Sequence, residues 1–362
     1  MGIQKQLRIL VCPLDWGMGH TTRCVPIIQY IRESGHAAVF AGNSWQCDYI
    51  TKTFGDIETI ERAGYDVHYS KHGSGFMFSL FAQIPKLLHT IRDENRWLQS
   101  VTDKYKIDGV ISDNRYGLYH KAVPTVFMTH QALAQTGIWH MADNMLRRLH
   151  YRYIQRFNHC WIADVAGNPN LSGKLGHPRV IPANATYIGM LSQIKQATTT
   201  EEHLLVLLSG PEPQRTLLSN ILWQQVKSYS GRVVFIEGSN IAARADAPAH
   251  VTYHTRVTGA ILQPLMEKAR MVICRSGYST LMDLVVLGKK AILIPTPGQT
   301  EQEYLGKHLH NEGVFLGAQQ KGFNLEKVLK QSALFPFHQL DFGNGFEQYK
   351  TVLSSWLSDI QQ

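Results

Sequence analysis

The sequence predicts an α/β fold with two domains, each built on a parallel sheet. Short apolar runs alternate with longer helical patterns along the chain, which is typical of successive βαβ units. The polar stretch 192–202 carries no hydrophobic periodicity, and a new strand follows it, so this stretch is the predicted linker. With 362 residues, the chain is long enough for two domains that each bury a core.

We predict a first domain at residues 1–192 and a second at residues 203–340. The predicted strands of the first domain are 7–12, 37–41, 110–112, 123–128 and 160–163. Those of the second domain are 204–208, 233–236, 271–273, 291–294 and 314–316. A last segment, 345–362, places Tyr349, Leu353 and Trp356 on one helical stripe. This helix either returns to the first domain or packs on its own domain.

Composition excludes several classes of protein. No apolar run approaches the roughly 18 residues of a membrane span, and the N-terminus lacks a secretory signal, so we expect a cytoplasmic protein. Five cysteines without a C-x-x-C pair predict reduced, structural thiols, and no metal site is expected. The net charge of +8 favours an anionic partner, either phosphorylated ligands or a membrane surface. Nucleic acid is not expected, because the basic residues are scattered.

A strand, a tight turn and a helix are predicted around residues 271–286. Apolar residues 271–273 precede Arg275, Ser276 and Gly277. A helix beginning here offers unpaired N–H groups and a positive dipole end to a phosphate, with Ser276 as N-cap and Gly277 allowing close approach. Asp283 lies about 10 Å further along the same helix face, which is the reach from a pyrophosphate to a ribose diol. An ordinary capped βα unit is the alternative.

A glycine-containing turn follows the first predicted strand. Gly17, Met18, Gly19 and His20 precede an apolar helical pattern, and the turn lies at the carboxyl end of the sheet, where open α/β folds bind ligands. The third glycine and the following acid of a dinucleotide fingerprint are missing. The positive end of the helix dipole favours a neutral His20 that can accept a proton from a hydroxyl group. His20 is therefore a candidate general base, with a purely structural role as the alternative.

Further polar residues follow other predicted strands. Ser209 and Gly210 suit a loop that folds over a phosphate, although a simple turn is equally compatible. Gln302 and Glu303, after Pro295, offer amide and carboxylate groups to sugar hydroxyls or to solvent. Three residues of the first domain are expected to line the same cleft as His20 and to suit a hydroxyl-rich substrate: Asp113, Arg115 and His130.

The segment 75–81 is the most apolar stretch outside the predicted strands. Basic residues, including Lys86 and Arg92, follow it. It predicts a core helix in preference to a contact with a membrane interface.

Taken together, the motifs resemble the two-domain GT-B glycosyltransferases, specifically the MurG-type N-acetylglucosaminyltransferases of peptidoglycan synthesis and their relatives. The tract 275–277, then Asp283, Pro295 and the tract 302–304, match the donor-nucleotide signature of that family in order and spacing. The turn 17–20 is similar to the glycine loop that follows its first strand. Two positions depart from the pattern, since close relatives carry Glu at 283 and Gln at 303.

The resemblance implies two Rossmann-like domains whose sheets face a cleft, and an inverting, metal-independent transferase without a cofactor. It would move an N-acetylhexosamine or hexose from a nucleotide diphosphate sugar, most simply UDP-linked, to a hydroxyl of a lipid-linked or cell-envelope glycan. The chain would be cytoplasmic and could contact the inner face of the membrane as a peripheral protein. His20 would be catalytic. The implied donor-binding residues are Ser209, Gly210, Arg275, Ser276, Gly277, Asp283, Gln302 and Glu303. The implied acceptor-binding residues are Gly17, Met18, Gly19, Asp113, Arg115 and His130.

Three other activities stay open at this point. A UDP-sugar hydrolase of the same fold would use His20 to activate water, although a large aromatic first domain favours a true acceptor. A non-catalytic sugar-nucleotide-binding subunit would not need both His20 and the full donor set. A UDP-sugar epimerase would need a set of catalytic carboxylates that is not apparent in the sequence.

Overall fold

The computed structural model describes residues 5–64, 84–133, 140–195, 200–239, 244 and 246–362. The predicted apolar segment 75–81 and part of the predicted linker, 196–199, lie outside the described residues.

Parallel strands and helices alternate through both halves of the described chain, as predicted. The strands of the first sheet are β1 (Arg8–Pro13), β2 (Ala37–Gly42), β3 (Glu58–Glu61), β4 (Gly109–Asp113), β5 (Thr125–Thr129), β6 (His159–Ile162) and β7 (Ala185–Tyr187). The helices described with them are α1 (Met18–Glu33), α2 (Ser44–Phe54), α3 (Ile84–Tyr105) and α4 (His140–Ile154). We call this half, residues 5–195, the N-terminal lobe.

The second half repeats the architecture, and we call residues 200–346 the C-terminal lobe. Its strands are β8 (His203–Leu207), β9 (Val233–Ile236), β10 (Val251–His254), β11 (Ala269–Cys274), β12 (Ala291–Leu293) and β13 (Leu316–Gly317). Its helices are α5 (Gln214–Val226), α6 (Gly259–Glu267), α7 (Tyr278–Val286), α8 (Thr300–Asn311) and α9 (Leu325–Ser332). The last helix, α10 (Gln348–Gln361), follows this lobe.

The strand order places one switch point in each sheet. The described strands run β3-β2-β1-β4-β5-β6-β7 in the first sheet and β10-β9-β8-β11-β12-β13 in the second, and all neighbours are parallel. The order reverses between β1 and β4 and again between β8 and β11, and a crevice forms at such a point. The predicted fold class, two Rossmann-like domains with parallel sheets, is confirmed.

Nine of the ten predicted strands overlap interior strands of the two sheets, and the tenth, 314–316, shares only Leu316 with the edge strand β13. Three strands were missed. The missed strands β3, β7 and β10 all lie at sheet edges. Their burial patterns are mixed, because one side of an edge strand meets solvent. An edge strand therefore lacks the continuous apolar run from which the other strands were predicted.

One apolar core extends through both lobes and the last helix. Buried side chains from β1, β11 and α10 belong to a single contiguous cluster, and all five cysteines are buried as free thiols. No described helix is long and apolar enough to cross a membrane.

Helix α10 packs on the N-terminal lobe. The indole of Trp356 meets that of Trp161 edge to face, with 5.6 Å between ring centroids, and Tyr349 meets Tyr30 in the same way at 6.4 Å. A Cβ atom on Gly109 would lie 2.8 Å from Cη2 of Trp356, so the helix needs the glycine of β4 for its close approach. The end of the chain thus returns across the junction between the lobes.

We predict that Trp356→Ala lowers the free energy of unfolding by about 3–5 kcal/mol, because it removes a buried indole and leaves a cavity beside β4. Trp356 is only 3% exposed. Urea unfolding followed by circular dichroism measures the change, and Leu334→Ala, at a side chain 91% exposed, is the matched control. An equal effect of both substitutions would contradict this role of α10.

Candidate active site between the lobes

The first switch point brings His20 and Asp113 together. Pairing of β1 with β4 sets Pro13 opposite Asp113 at the carboxyl ends of both strands. The chain then turns through Gly17, whose positive φ of 83° suits glycine, and α1 begins at once, so that His20 occupies its first turn. Nδ1 of His20 lies 2.9 Å from Oδ2 of Asp113.

Arg23 completes this cluster from the next turn of the same helix. Its Nε donates to Oδ2 of Asp113 at 2.7 Å, and its Nη2 also contacts Oδ1, so the guanidinium and the carboxylate form a bidentate pair. Nη2 lies 2.7 Å from Nδ1 of His20. Arg23 and Asp113 are both fully buried, whereas the side chain of His20 keeps 14% of its surface exposed.

Two further residues connect this cluster to the C-terminal lobe. Nη1 of Arg23 lies 2.7 Å from Nδ1 of His130, which directly follows β5. Nε2 of His130 lies 2.9 Å from Oε1 of Glu301, in the first turn of α8. The imidazole of His130 stacks on Tyr278, the first residue of α7, with centroids 4.4 Å apart. The polar cluster therefore spans both lobes.

The surroundings set the charge of each group. Burial, and then the charge of Arg23, lower the pKa of His20 below its usual value, although Asp113 opposes this. Burial favours the neutral form of Asp113, yet the charges of Arg23 and His20 outweigh it and lower its pKa to about 2. At neutral pH the site thus holds a carboxylate beside a neutral imidazole, which is the state that a general base requires.

The second switch point forms the predicted donor turn. β11 ends at Cys274, and α7 begins at Tyr278 with Gly277 as its N-cap. The prediction that Ser276 caps this helix is wrong, because its Oγ instead donates to the carbonyl of Gln302 at 2.7 Å. No described heavy atom outside the adjoining chain lies within 4 Å of a Cβ built on Gly277. The first N–H groups of α7 are therefore accessible to an anion from this side.

The loop after β8 lies beside the loop after β12. Gly210 has a φ of 106°, and a Cβ on it would be 3.8 Å from Oγ1 of Thr296. Oε1 of Gln302 accepts from the N–H of Thr296 at 2.9 Å, and Oε1 of Glu303 accepts from the N–H of Gly298 at 2.8 Å. In this conformation both side chains shape the loop that precedes α8, and Glu303 is also exposed.

Asp283 is buried on α7, facing the start of the linker. Oγ of Ser192 donates to its Oδ1 at 2.6 Å, and the hydroxyl of Tyr49 donates to the neighbouring Gln193 at 2.7 Å. Burial raises the pKa of Asp283 to about 7, against the opposing effect of the hydrogen bonds that this carboxyl group receives from Ser192 and Gln193. In this structure a linker residue, Ser192, thus engages the carboxyl group.

Three residues that the sequence places in the site are buried and engaged by other protein groups. Arg275 is fully buried, and its guanidinium donates to the backbone carbonyls of residues 214, 294 and 295, so it holds three segments together. Arg115 is also buried, with its Nε 2.6 Å from Oε1 of Glu94. The carboxylate of Asp113 accepts from Arg23 and contacts His20. Arg115 and Asp113 each pair with a buried opposite charge, and Arg275 satisfies backbone carbonyls; the sequence alone does not reveal these partners.

The lobes meet where the first turns of α1 and α7 approach each other. Oγ of Ser279 donates to the carbonyl of Gly19 at 2.7 Å, and a Cβ on Gly19 would lie 2.9 Å from this oxygen. The hydroxyl of Tyr278 donates to the carbonyl of Ala163 at 2.8 Å. Met18 and Gly19 thus lie in the helix itself, at the lobe contact, while Gly17 is exposed in the turn before it.

Sequence reasoning missed Arg23, Glu301 and Ser192 as members of the site. Arg23 lies three residues after His20, and this spacing places both on one helix face, so a signal was present. No sequence signal marks the pairing of Glu301 with His130, because these residues are separated by 171 positions and meet only when the lobes dock. Among the described residues, no group of His, Cys, Asp and Glu side chains is arranged to hold a metal ion.

Comparison with known proteins agrees with this geometry. Residues 209–338, which include the donor turn and the loop before α8, match the glycosyltransferase family 28 C-terminal domain. The chain is a glycosyltransferase that resembles the MurG-like enzymes.

Two relatives of this glycosyltransferase align over most of its length. It is 22% identical over 344 residues to the UDP-N-acetylglucosamine--N-acetylmuramyl-(pentapeptide) pyrophosphoryl-undecaprenol N-acetylglucosamine transferase of Histophilus somni. This alignment covers 90% of this chain and 88% of that protein. The protein of the same name from Haemophilus ducreyi is 22% identical over 329 residues, covering 86% of this chain and 85% of the relative.

Solved structures show that the GT-B fold extends over both lobes. The glycosyltransferase SnogD from Streptomyces nogalater aligns with a TM-score of 0.63 at 14% identity, covering 98% of this chain and all of that one. MurG from Acinetobacter baumannii aligns with a TM-score of 0.53 at 13% identity, covering 99% of both chains. The predicted resemblance to MurG-like GT-B glycosyltransferases is confirmed.

The raised pKa of Asp283 predicts how stability depends on pH. The folded protein binds a proton at Asp283 up to about pH 7, whereas the ordinary pKa of an aspartate is 3.8. Because the unfolded chain loses this proton first, the fold becomes less stable as the pH rises between these two values. We expect Asp283→Asn to leave the free energy of unfolding nearly unchanged at pH 4 and to raise it at pH 8. Urea unfolding at pH 4 and pH 8 measures the free energy of unfolding of both proteins. If the variant differed from wild type by the same amount at the two pH values, burial of the charge would be contradicted.

Proposed function

We propose that this glycosyltransferase moves an N-acetylhexosamine or hexose from a UDP sugar to a hydroxyl group of a lipid-linked or cell-envelope acceptor, with inversion and without a metal ion. The observation that carries the proposal is the pair formed by His20 and Asp113, set at the cleft edge of the N-terminal lobe and adjacent to the donor turn of the C-terminal lobe. An imidazole supported by a carboxylate and placed beside a phosphate-binding helix start suits base-assisted transfer of a sugar.

The donor would lie against the start of α7. The N–H groups that follow Gly277 and the positive dipole end would bind the pyrophosphate, with Ser209 and Gly210 closing from the neighbouring loop. The ribose diol would take the place of Ser192 at Asp283, because both offer hydroxyl donors to the same carboxylate. The sugar would face the loop that Gln302 and Glu303 hold.

The reaction would be a single displacement at the anomeric carbon. In the productive tautomer, Nδ1–H of His20 donates to Asp113, and Nε2 takes the proton from the acceptor hydroxyl as the oxygen bonds to the anomeric carbon. The bond from this carbon to the β-phosphate oxygen breaks, and UDP leaves with both electrons of that bond. The N–H groups of α7 offset the charge that develops on the diphosphate. Attack from the face opposite the leaving group inverts the anomeric centre.

The choice of substrates rests on the relatives. Their name specifies UDP-N-acetylglucosamine as donor and a pyrophosphoryl-undecaprenol-linked N-acetylmuramyl pentapeptide as acceptor. UDP-N-acetylglucosamine is therefore the first donor to test. Asp283 and Glu303 differ from the pattern of close relatives, so UDP-glucose and UDP-N-acetylgalactosamine belong in the same panel. A cytoplasmic location, with contact to an anionic membrane surface that holds the acceptor, is consistent with the net charge of +8.

Release of UDP from each sugar, measured with and without the polyprenyl-linked acceptor, tests the proposal. We expect release that depends on the acceptor and a glycosylated lipid product of inverted configuration. Equal release in the absence of acceptor would instead identify a hydrolase, and no release from any donor in the panel would refute the proposal.

We predict that His20→Ala lowers kcat by about 10²–10⁴-fold and leaves the Kd for UDP nearly unchanged, because the base acts on the acceptor and not on the nucleotide. Steady-state kinetics and calorimetric titration with UDP separate the two quantities. His89→Ala, at an exposed histidine of α3, is the control. Wild-type kcat in His20→Ala would remove His20 as the base.

We further predict that Asp283→Ala weakens UDP binding by about tenfold, which corresponds to the loss of roughly one hydrogen bond. Titration with UDP and GDP measures the effect, and both should weaken, since the two nucleotides share the ribose. Asp359→Ala, at an exposed site on α10, should bind normally. Unchanged Kd values in Asp283→Ala would place the ribose elsewhere.

A further inference from the structure

The polar cluster at the lobe junction forms an uninterrupted chain of contacts from the donor side to the base. It runs from Glu301 to His130 at 2.9 Å, from His130 to Arg23 at 2.7 Å, and from Arg23 to Asp113 at 2.7 Å and to His20 at 2.7 Å. All members except Glu301 belong to the N-terminal lobe. Glu301 directly precedes Gln302, to which the proposed function assigns a sugar contact.

Arg23 affects the state of His20 directly. A guanidinium has only hydrogen-bond donors, so its contact with Nδ1 of His20 requires a lone pair on that nitrogen. The base in turn requires a proton on Nδ1, donated to Asp113, and a lone pair on Nε2. Arg23 and the productive tautomer therefore compete for the same nitrogen, and the position of this guanidinium decides which form of His20 is present.

His130 fixes the other end of the guanidinium. Its Nδ1 must accept from Nη1 of Arg23, which leaves Nε2–H to donate to the carboxylate of Glu301. Stacking on Tyr278 prevents the imidazole from turning away. Glu301 attracts the positive charge of Arg23 through this ring. Desolvation raises the pKa of Glu301, but its interactions with His130, His20 and Arg23 outweigh desolvation and lower this pKa.

We propose that Arg23 is a positioning residue for the base His20, and that Glu301, acting through His130, couples its position to docking of the C-terminal lobe. With the lobe docked, as here, Nη2 of Arg23 contacts both Oδ1 of Asp113 and Nδ1 of His20, and Glu301, acting through His130, partly offsets the charge of the guanidinium. With the lobe withdrawn, this opposing charge is lost, and the guanidinium lowers the basicity of His20 further. His20 is therefore more basic when the donor lobe is in place. This inference rests on the proposed function.

The experiment measures kcat and KM across pH for Glu301→Gln in the full chain, with UDP-N-acetylglucosamine and the polyprenyl-linked acceptor. The ionisable groups around His20 are Arg23 on its own helix, Asp113 of β4, His130 after β5 and Glu301 of α8. Removing the negative charge of Glu301 lowers the basicity of His20. We expect kcat to fall about tenfold, the acid limb of the kcat profile to move to lower pH, and the KM for donor to stay within about twofold.

Glu312→Gln, at an exposed position at the end of the same helix, is the matched control and should keep wild-type kinetics. A second variant, Arg23→Gln, removes positive charge beside His20 and should move the acid limb in the opposite direction, to higher pH. Because this substitution leaves Asp113 buried without its partner, its fold is checked by circular dichroism. Glu301→Gln, whose side chain is partly exposed, gives the test independently of that variant.

The outcomes separate this inference from the proposed function. If the wild type is active and the acid limb of Glu301→Gln does not shift, the coupling is overturned, even if kcat falls. A merely structural contact would slow the enzyme without changing the pH at which the base titrates. A wild type that releases no UDP from any donor refutes the proposed function itself.

Discussion

The buried ion pair between Arg23 and Asp113 is the interaction on which the site depends. Removing two charges from water costs several kcal/mol per ion, and the cost is offset only where every donor and acceptor finds a partner. Here the remaining partners are His20 and His130, so the contacts that compensate the pair also orient the imidazole of His20. His130 in turn needs an acceptor for its second nitrogen, and Glu301 of the other lobe supplies it. The hydrogen bonds that satisfy this one ion pair thus connect His20, the proposed base, to the C-terminal lobe.

Sheet topology explains why these groups meet. Each lobe reverses its strand order once, and the helices that leave the two switch points, α1 and α7, point their first turns at each other. One helix start carries the imidazole, and the other offers N–H groups to an anion. Two βα units of the same architecture therefore serve different chemical purposes, because they differ in a few residues at the turn between strand and helix. Helix α10 packs across the junction and belongs to the core shared by both lobes.

Much of this arrangement could be predicted from the sequence. Central strands are buried on both faces, so their sequences are apolar runs. The strands β3, β7 and β10 lie at sheet edges, contain both polar and apolar residues, and were missed. His20 and the donor turn were visible because local motifs mark them. The buried roles of Asp113 and Arg115 were not, since a polar residue after a strand looks the same whether it faces a ligand or compensates a charge. The partnership of His130 with Glu301 depends on lobe docking, which no local pattern encodes.

The central claim is that a base of one lobe faces a sugar held by the other. A crystal structure of the full chain with a non-hydrolysable UDP-sugar analogue tests it most directly. The account predicts the pyrophosphate at the start of α7, the ribose diol on Asp283 in place of Ser192, and Nε2 of His20 facing the open side of the anomeric carbon. A nucleotide bound outside the cleft, or an anomeric carbon remote from His20 with the lobes docked as here, would contradict it.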